Sequence, residues 1–202
     1  MKQKIRILGI DDASFKKKQD NVLVVGALVR PSSFEGFYLE AVLSTSVKKD
    51  GLDATDKIIS MIESSRFSKQ VNYIITQGTV LAGLNPINIK KISEALSVPV
   101  LSVVRDRPNK KRFLTAVRKL PNAERIIKEL EANGEIYKYE RCIRAVNYHR
   151  CKTLYYYLAG MGRKEAEELI RFSTYMGNIP EPVRIAHVIA SGVSRGESTK
   201  RV

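Results

Sequence analysis

The sequence predicts an α/β fold, a mixed sheet flanked by helices, from three observations. Three β-rich segments within the first 48 residues are separated only by short polar turns, which favours antiparallel pairing. From residue 52 onward, helical and strand periods alternate, which is typical of parallel strands joined by crossover helices. The chain has 202 residues, of which 44% are hydrophobic, and this suits one domain with a sizeable core.

The first three strands are predicted from apolar runs that end at turn residues. The run "KIRILGIDDASF" rises to two aspartates, "NVLVVGALVRP" is apolar almost throughout and stops at Pro31, and "FYLEAVLSTSV" is rich in aromatic and β-branched residues. The polar turns "KKKQDN" and "SSFEG" separate them. We therefore expect an antiparallel meander.

A β-α-β-α-β segment is predicted next. Apolar side chains recur at helical spacing in "LDATDKIISMIESSRF", where Asp53 or Thr55 can cap the helix. A second helix is predicted in "NPINIKKISEALS", with Pro86 near its first turn. The runs "VNYIITQG" and "VPVLSVVR" are the strands on either side of that helix. This order predicts parallel neighbours with right-handed crossovers.

The last third is predicted to add two extended segments and four helices. The helices are "RPNKKRFLTAVRKL", "NAERIIKELEANG", "RKEAEELIRFSTYMG" and "PEPVRIAHVIASGV", and the extended segments are "IYKYERCIRAVNYHR" and "TLYYYLAG". No internal repeat or linker divides the chain. Residues 1–202 are therefore predicted to form a single domain, with 193–202 as a flexible tail.

The net charge of +14 favours a polyanionic partner, nucleic acid before an anionic membrane, and a solubilising surface is the alternative. No run reaches the roughly 18 apolar residues of a membrane span. The first apolar run meets aspartates too early for a signal peptide, so a cytoplasmic location is expected. Cys142 and Cys151 match no zinc pattern, and we expect buried free thiols.

Asp11 and Asp12 end the first strand, where carboxylates are costly unless they are paired or bind a metal. Hard cations prefer such oxygen ligands, although a turn or cap role is the alternative. Alternation places Asp12 with Leu8 and Ile10, and Asp11 with Ile7. Both faces are apolar, so alternation does not decide which of the two carboxylates would bind a metal.

Further carboxylates follow the third strand, where Asp50 and Asp53 could join a metal site. The alternatives are an ordinary turn at Asp50 and a helix cap at Asp53. The next place for an acid is the end of "VNYIITQG", the first parallel neighbour of strand one. That position holds Gln77.

Two segments suit contacts with nucleic acid. In "ITQGTVLAGLN", Gly78 and Gly83 allow close backbone approach to a phosphate or a base, although a plain loop fits as well. Basic side chains are concentrated in "VVRDRPNKKRF", directly after a strand, where ligands bind in α/β sheets. A solvated helix face is the alternative for this run. Its cations are Arg105, Arg107, Lys110, Lys111 and Arg112.

The order of elements resembles a ribonuclease-H-like fold, and three motifs sharpen the resemblance. "GIDDASF" resembles the first-strand metal motif of endonuclease V, and "IPEPVRIAH" resembles the start of its C-terminal helix. The stretch "VNYIITQGTVLAGLNPINIKKISEALSVPVLSVVR" resembles its strand-glycine-helix-strand unit. From residue 4 to about 190, the chain is similar to the archaeal endonuclease V relatives described as deoxyuridine endonucleases.

The resemblance implies roles for individual residues. Asp11 matches the first metal-binding aspartate, Asp50 is the nearest candidate for the second acid, and His187 matches a histidine beside the metal site. Arg105 stands where the family has a lysine that contacts phosphate. The third acid of the relatives falls on Gln77, so one metal is lost or Asp12 replaces that acid.

The resemblance thus predicts an endonuclease that uses Mg²⁺ or Mn²⁺ to nick nucleic acid, DNA before RNA, at or near deaminated bases such as deoxyuridine. The alternative is a nucleic-acid-binding protein that kept the fold and lost its full metal site. The predicted catalytic residues are Asp11, Asp50 and His187. The predicted metal ligands are Asp11, Asp12, Asp50 and Asp53. The predicted nucleic-acid contacts are Gln77, Gly78, Gly83, Arg105, Lys110, Lys111 and Arg112.

Overall fold

A seven-stranded mixed sheet organises the chain, of which the computed structural model describes residues 5–32, 36–145, 148–175 and 177–198. The strands of this sheet are β1 (Ile7–Asp12), β2 (Asn21–Pro31), β3 (Phe37–Lys48), β4 (Tyr73–Gln77), β7 (Val100–Val104), β8 (Tyr137–Ala145) and β9 (Tyr148–Ala159). Two short strands, β5 (Val80–Leu81) and β6 (Asn85–Pro86), form a separate hairpin. The strand order in the sheet is β3-β2-β1-β4-β7-β9-β8.

The pairing confirms the predicted fold class. Strands β1, β2 and β3 form the antiparallel meander, and β1, β4 and β7 are parallel neighbours. Strands β9 and β8 complete the sheet as antiparallel neighbours of β7. Because β1, β4 and β7 run in one direction, their carboxyl ends meet at one edge of the sheet.

Helices cover both faces of the sheet. They are α1 (Ala54–Glu63), α2 (Ile89–Leu96), α3 (Lys110–Val117), α4 (Ala123–Glu131), α5 (Arg163–Ser173) and α6 (Glu181–Arg195), with a short 3₁₀ turn at Ser68–Gln70. Leu8 and Ile10 of β1 pack in a core with α1 and α2, whereas Ile7 packs in a second core with α5 and α6. This alternation follows from the two-residue period of a strand.

The contact between β1 and α6 is very close because β1 carries a glycine there. A Cβ atom at Gly9 would overlap the backbone carbonyl of Pro182 and the amide of Val183. Further along α6, Ala186 and Ala190 pack against Ala13 in a small apolar cluster. Small residues on both elements therefore bring the helix axis close to the strand.

Three predictions about local structure need correction or adjustment. Pro86 lies in β6, because Asn85–Pro86 pairs with Val80–Leu81, and α2 begins only at Ile89. Helix α6 continues through Arg195, past the start of the predicted tail, and the Ser198 hydroxyl donates a hydrogen bond to the Val188 carbonyl. The tail residues 199–202 lie outside the described residues.

The two cysteines correct a third prediction. Cys142 and Cys151 are exposed and form a disulfide, so they are neither buried nor free. They occupy directly opposite positions in the β8–β9 ladder, where the side chains of an antiparallel pair lie close together. Separately, no helix among the described residues is long and apolar enough to cross a membrane.

Candidate active site at the carboxyl ends of the central strands

Asp11 and Asp12 point to opposite faces of the sheet. Asp11 lies on the α6 face and is 3% exposed. Asp12 lies on the face of α1 and α2, where its Oδ2 accepts a hydrogen bond of 2.8 Å from the backbone N–H of Ala82. The two neighbouring carboxylates therefore belong to different environments, and only Asp11 faces the C-terminal helix.

His187 is the direct partner of Asp11. Its Nδ1 lies 2.7 Å from Asp11 Oδ2, with one proton between the two atoms. The close packing of α6 on Gly9 and Ala13 holds the imidazole at this distance. The structure thus brings together two of the three predicted catalytic residues, although 176 positions separate them in the chain.

The pKa values of both aspartates are raised, chiefly by burial. Burial raises the pKa of Asp11 above its ordinary value, and the hydrogen bond and charge of His187 oppose that shift. Burial and then the negative charge of Asp11 raise the pKa of Asp12 to about 6. For both carboxylates, burial outweighs the charges that oppose the shift, and a bound cation would add a further positive charge.

Gln77 lies next to Asp11 on the same face. Ile10 pairs with Thr76 in the parallel β1–β4 ladder, so the next positions on these strands are Asp11 and Gln77. The Oε1 atom of Gln77 is buried and has no hydrogen-bond partner among the described residues. A buried amide oxygen is costly without a partner, so this atom is suited to bind a cation beside Asp11.

Arg105 completes this face. Val103 pairs with Gln77, and Arg105 follows two residues later, just beyond the end of β7. Its positive charge is close enough to lower the pKa of Asp11. One carboxylate, one amide oxygen, one imidazole and one guanidinium therefore converge at the carboxyl edge of three parallel strands.

This donor set fits a single Mg²⁺ or Mn²⁺ ion. Among the described residues, no group of three or more His, Cys, Asp or Glu side chains could hold a metal. Magnesium, however, is commonly held by one or two carboxylates, with water and substrate phosphate oxygens completing its shell. Asp11 and the orphaned Gln77 oxygen match that pattern.

Asp50 lies on the other side of the strand ends, with Asp12. Its Oδ1 accepts a 3.0 Å hydrogen bond from the Leu84 N–H, and its own N–H donates to the Ala82 carbonyl over 2.9 Å. Asp12 and Asp50 therefore both form hydrogen bonds to the backbone of the loop between β5 and β6. Gly83 in this loop has φ +90°, and a Cβ there would overlap the Asp50 carboxylate.

Asp53 occupies the position before α1, but its side chain makes no cap hydrogen bond to that helix. Instead its Oδ1 accepts hydrogen bonds from the Lys48 N–H, over 3.1 Å, and from Asn85 Nδ2, over 2.6 Å. The structure therefore does not gather the four aspartates predicted as metal ligands into one cluster. Asp11 stands on one face, and Asp12 and Asp50 bind a loop on the other.

Gly78 directly follows β4 in a left-handed conformation, with φ +78°, and its N–H donates to the Val103 carbonyl over 2.8 Å. The Thr76 hydroxyl donates to the Gly78 carbonyl over 2.9 Å. Such a conformation costs glycine little. It turns the chain sharply at the strand end, beside Gln77.

The basic run after β7 divides into two groups. Arg107 and Lys110 line a cavity of about 320 Å³ whose walls include Thr79, Phe113 and Tyr157. Lys111 and Arg112 instead line a shallow depression on the outer side of α3. The structure therefore separates Lys111 and Arg112 from Arg105 and the strand ends.

The sequence reasoning missed Lys152 and Asn178. Both line a cleft of about 490 Å³ that also contains Arg105 and Arg107. Lys152 lies between the two predicted extended segments "IYKYERCIRAVNYHR" and "TLYYYLAG", and Asn178 lies in the loop before α6. No local pattern marks either residue, because the pairing of β9 with β7 brings Lys152 to the cleft and a hydrogen bond to the Thr153 carbonyl brings Asn178 there.

Comparisons with known proteins agree with this picture. A profile of the endonuclease dU family matches residues 3–194. A UPF0215 protein from Archaeoglobus fulgidus is 39% identical over 196 residues, covering 97% of both chains. Another, from Methanothermobacter thermautotrophicus, is 38% identical and covers 98% of this chain and 92% of its own.

Solved structures show the same fold. A protein of unknown function from Archaeoglobus fulgidus superposes with a TM-score of 0.78 at 38% identity, covering 94% of this chain and 98% of its own. The catalytic domain of human endonuclease V has a TM-score of 0.58 at 13% identity, with coverage of 95% and 83%.

A third solved structure is Ciona intestinalis endonuclease V in complex with a 24mer DNA containing an inosine followed by a ribo-adenosine. It has a TM-score of 0.53 at 12% identity, and covers 90% of this chain and 82% of its own. The two endonuclease V structures show the shared fold, and the family match supports a nuclease-like function. With a profile match over nearly its whole length and relatives close to 40% identical, the chain belongs to the endonuclease dU family.

Proposed function

We propose that the protein is a metal-dependent endonuclease that nicks DNA at or near a deaminated base such as deoxyuridine. One observation carries the proposal. A carboxylate that is 3% exposed, Asp11, lies at a strand end with His187 on one oxygen, and beside it is the orphaned oxygen of Gln77. A divalent cation would bind both oxygens and offset the burial of the charge.

Asp11 and Gln77 would hold the metal, with phosphate oxygens of the substrate completing its shell. A bound Mg²⁺ or Mn²⁺ ion activates water and stabilises the charge that develops on a phosphate. In this proposal His187 is a positioning residue, because its 2.7 Å contact fixes the rotamer of Asp11. Arg105 binds the substrate phosphate from the neighbouring strand end.

The cavity beside Thr79 supports recognition of an unstacked base. Its volume of about 320 Å³ accommodates one nucleobase, and Phe113 and Tyr157 provide aromatic walls. Arg107 and Lys110 also line it and can contact the phosphates on either side. Unstacking costs least for a damaged or mispaired base, which favours deaminated sites. The DNA bound to Ciona intestinalis endonuclease V contains an inosine, whose base, hypoxanthine, is the deamination product of adenine.

A cleavage panel tests the proposal. Oligonucleotides of DNA and RNA with uracil, hypoxanthine or no lesion are incubated with Mn²⁺, Mg²⁺ or EDTA. We expect nicking of lesion-containing DNA with either metal and none in EDTA. Asp11→Ala should abolish nicking, whereas Asp56→Ala, which removes an exposed carboxylate of α1, should not change it. Failure of the wild-type protein to cut any lesion with Mn²⁺ would overturn the proposal.

Gln77 specifically favours the second candidate, a nucleic-acid-binding protein without catalysis. A neutral amide binds Mg²⁺ more weakly than a carboxylate does, so this site could have lost its ion. Isothermal titration of Mn²⁺ separates the candidates. Binding by the wild type that is lost in Asp11→Ala contradicts the second candidate, and absence of binding by both proteins supports it.

A further inference from the structure

The β8–β9 hairpin extends beyond the sheet at the edge that carries Asp11. Only Tyr155–Ala159 of β9 pair with β7, and the last pair joins Tyr155 to Val104 at the carboxyl end of that strand. Residues 148–154 pair with β8 alone. These residues and 139–145, which we call the arm, span about 23 Å of strand beyond the last pair with β7 at a rise of roughly 3.3 Å per residue, and Leu154 at the base of the arm is still buried in the second core.

A cationic cleft lies where the arm leaves the sheet. Its volume is about 490 Å³, and it is lined by Arg105, Arg107 and Lys152 against a single carboxylate, that of Asp106. Tyr155 also lines the cleft. Excess positive charge in a cleft attracts phosphates, and a tyrosine ring offers a surface on which a base can stack.

The cleft adjoins the Asp11 site and the neighbouring cavity. Arg105, which lines the cleft, follows Val103 by two residues, and Val103 pairs with Gln77, the β4 neighbour of Asp11. Arg107 lines both the cleft and the apolar cavity beside Thr79. A strand lying in the cleft would therefore have the Asp11 site on its Arg105 side and the proposed base cavity on its Arg107 side.

The base of the arm is held in place by a hydrogen bond and a disulfide. Asn178 Nδ2 donates a 3.1 Å hydrogen bond to the Thr153 carbonyl, so the loop before α6 supports β9 beside the cleft. The disulfide between Cys142 and Cys151 joins the two strands of the arm next to Lys152. A wall fixed in this way needs little ordering when a ligand binds.

We propose that this cleft holds the sugar-phosphate backbone of a single DNA strand beside the bond cut at Asp11. Arg105, Arg107 and Lys152 contact successive phosphates, and Tyr155 stacks on a base. This inference rests on the proposed function and adds to it the path of the strand. It assigns nucleic-acid contacts to the arm, where Lys152 of β9 is the cation that lines the cleft.

Salt-dependent binding of DNA tests the path without relying on cleavage. Fluorescence anisotropy measures the affinity for a lesion-free single-stranded oligonucleotide in EDTA at several salt concentrations. For single strands, the slope of log K against log salt is about −0.7 per phosphate contact, so each lost contact reduces its magnitude by about 0.7. We therefore expect Lys152→Gln and Arg107→Gln each to reduce the magnitude of the slope by about 0.7, and the double variant by about 1.4.

Two further variants control for net charge and folding. Lys69→Gln removes the same charge from an exposed side chain in the 3₁₀ turn before β4, at the opposite edge of the sheet, and should leave the slope unchanged. Lys152→Arg keeps the charge and should also keep the slope. Equal slopes for Lys152→Gln, Arg107→Gln and Lys69→Gln would overturn the path while the proposed function stands. Absence of binding by the wild type would overturn the path, whereas the cleavage panel decides the function separately.

Discussion

At the scale of single residues, the adjacent aspartates of β1 show how a strand places the side chains of consecutive residues on opposite faces of the sheet. The two carboxylates are consecutive in sequence, yet Asp11 pairs with His187 and Asp12 binds the backbone of Ala82 on the opposite face. Alternation predicted this separation, because side chains along a strand point to opposite sides. It could not predict which face would carry α6, since both faces are apolar.

Replacing Asp12 by Asn should stabilise the metal-free protein near neutral pH. The pKa of Asp12 is raised from 3.8 to about 6, so the folded state binds more protons than the unfolded state between these values. The stability associated with this group is present below pH 4 and is lost as the pH rises through 6. An asparagine oxygen still accepts from Ala82 without carrying the charge. We expect about 1–3 kcal/mol of added stability at pH 7.

Urea unfolding in EDTA at pH 7 and pH 4 checks this expectation. The gain should be much smaller at pH 4, where the carboxyl of Asp12 is largely protonated in the folded protein. Asp56→Asn, at an exposed carboxylate paired with Lys91, should change stability by less than about 0.5 kcal/mol at either pH. A gain from Asp12→Asn that is the same at both pH values would contradict the burial of charge as its cause.

Replacing Gln77 by Glu should strengthen metal binding. The substitution keeps the shape of the side chain and places a second carboxylate beside Asp11, where the amide oxygen is orphaned. Affinity for hard cations rises with the number of charged oxygen ligands, and we expect about a tenfold increase for Mn²⁺. Isothermal titration measures it. Gln70→Glu adds the same charge before β4 and should have no effect, and an equal response of both variants would show that only net charge acts.

At the scale of elements, the site depends on how closely α6 approaches β1. The helix was predicted from the sequence, but its position was not, because amphipathic periodicity states which face is buried and not which strand it covers. Gly9 permits the contact with Pro182 and Val183, and His187 reaches Asp11 as a consequence.

Gly9→Ala should therefore separate α6 from the strand. The new methyl group would meet backbone atoms of Pro182, which cannot move aside as a flexible side chain could. Overpacking of this kind costs about 1–3 kcal/mol, and rigid backbone places Gly9 at the upper end of that range. Urea unfolding measures the loss. Gly162→Ala, with open space around the added methyl group, should cost less than about 1 kcal/mol, and a comparable loss in both would count against this explanation.

Other elements show where sequence patterns were insufficient. The strand runs, the six helices and the parallel β1–β4–β7 unit follow from periodicity and turn residues. The β5–β6 hairpin is too short to have a period, so Pro86 looked like the start of a helix. The disulfide depends on the β8–β9 register, which places Cys142 opposite Cys151 and which composition does not encode.

At the scale of the whole molecule, the parallel strands concentrate polar groups at one edge of the sheet. Asp11 ends β1, Gln77 ends β4 and Arg105 follows β7, while the arm extends from the same edge. The opposite surfaces of the central strands are buried by two cores. A rigid centre thus carries a polar edge and a projecting hairpin.

Hydrogen exchange should reveal the difference in stability between the buried centre of the sheet and the arm. Amides of β1 lie in a strand paired on both sides, with Ile7, Leu8 and Ile10 all 0% exposed, and should exchange only through global unfolding. Amides of the arm lie in a ladder without a third strand and should exchange much sooner. Mass spectrometry of peptides from both regions measures the rates. Equal protection of the arm and β1 would show instead that the hairpin unfolds only with the core.

The sequence by itself determined the α/β class, the order of most elements, the surplus of positive charge and the placement of Asp11 and Gln77 at strand ends. These features depend on local periodicity, composition and motifs, all of which are properties of neighbouring residues in the sequence. The tertiary structure alone decided that His187 pairs with Asp11, that Asp12 and Asp50 bind a loop on the other face, and that Lys152 joins Arg105 in one cleft. These contacts join residues from distant segments, and their geometry is set by packing of helices on the sheet and by strand register.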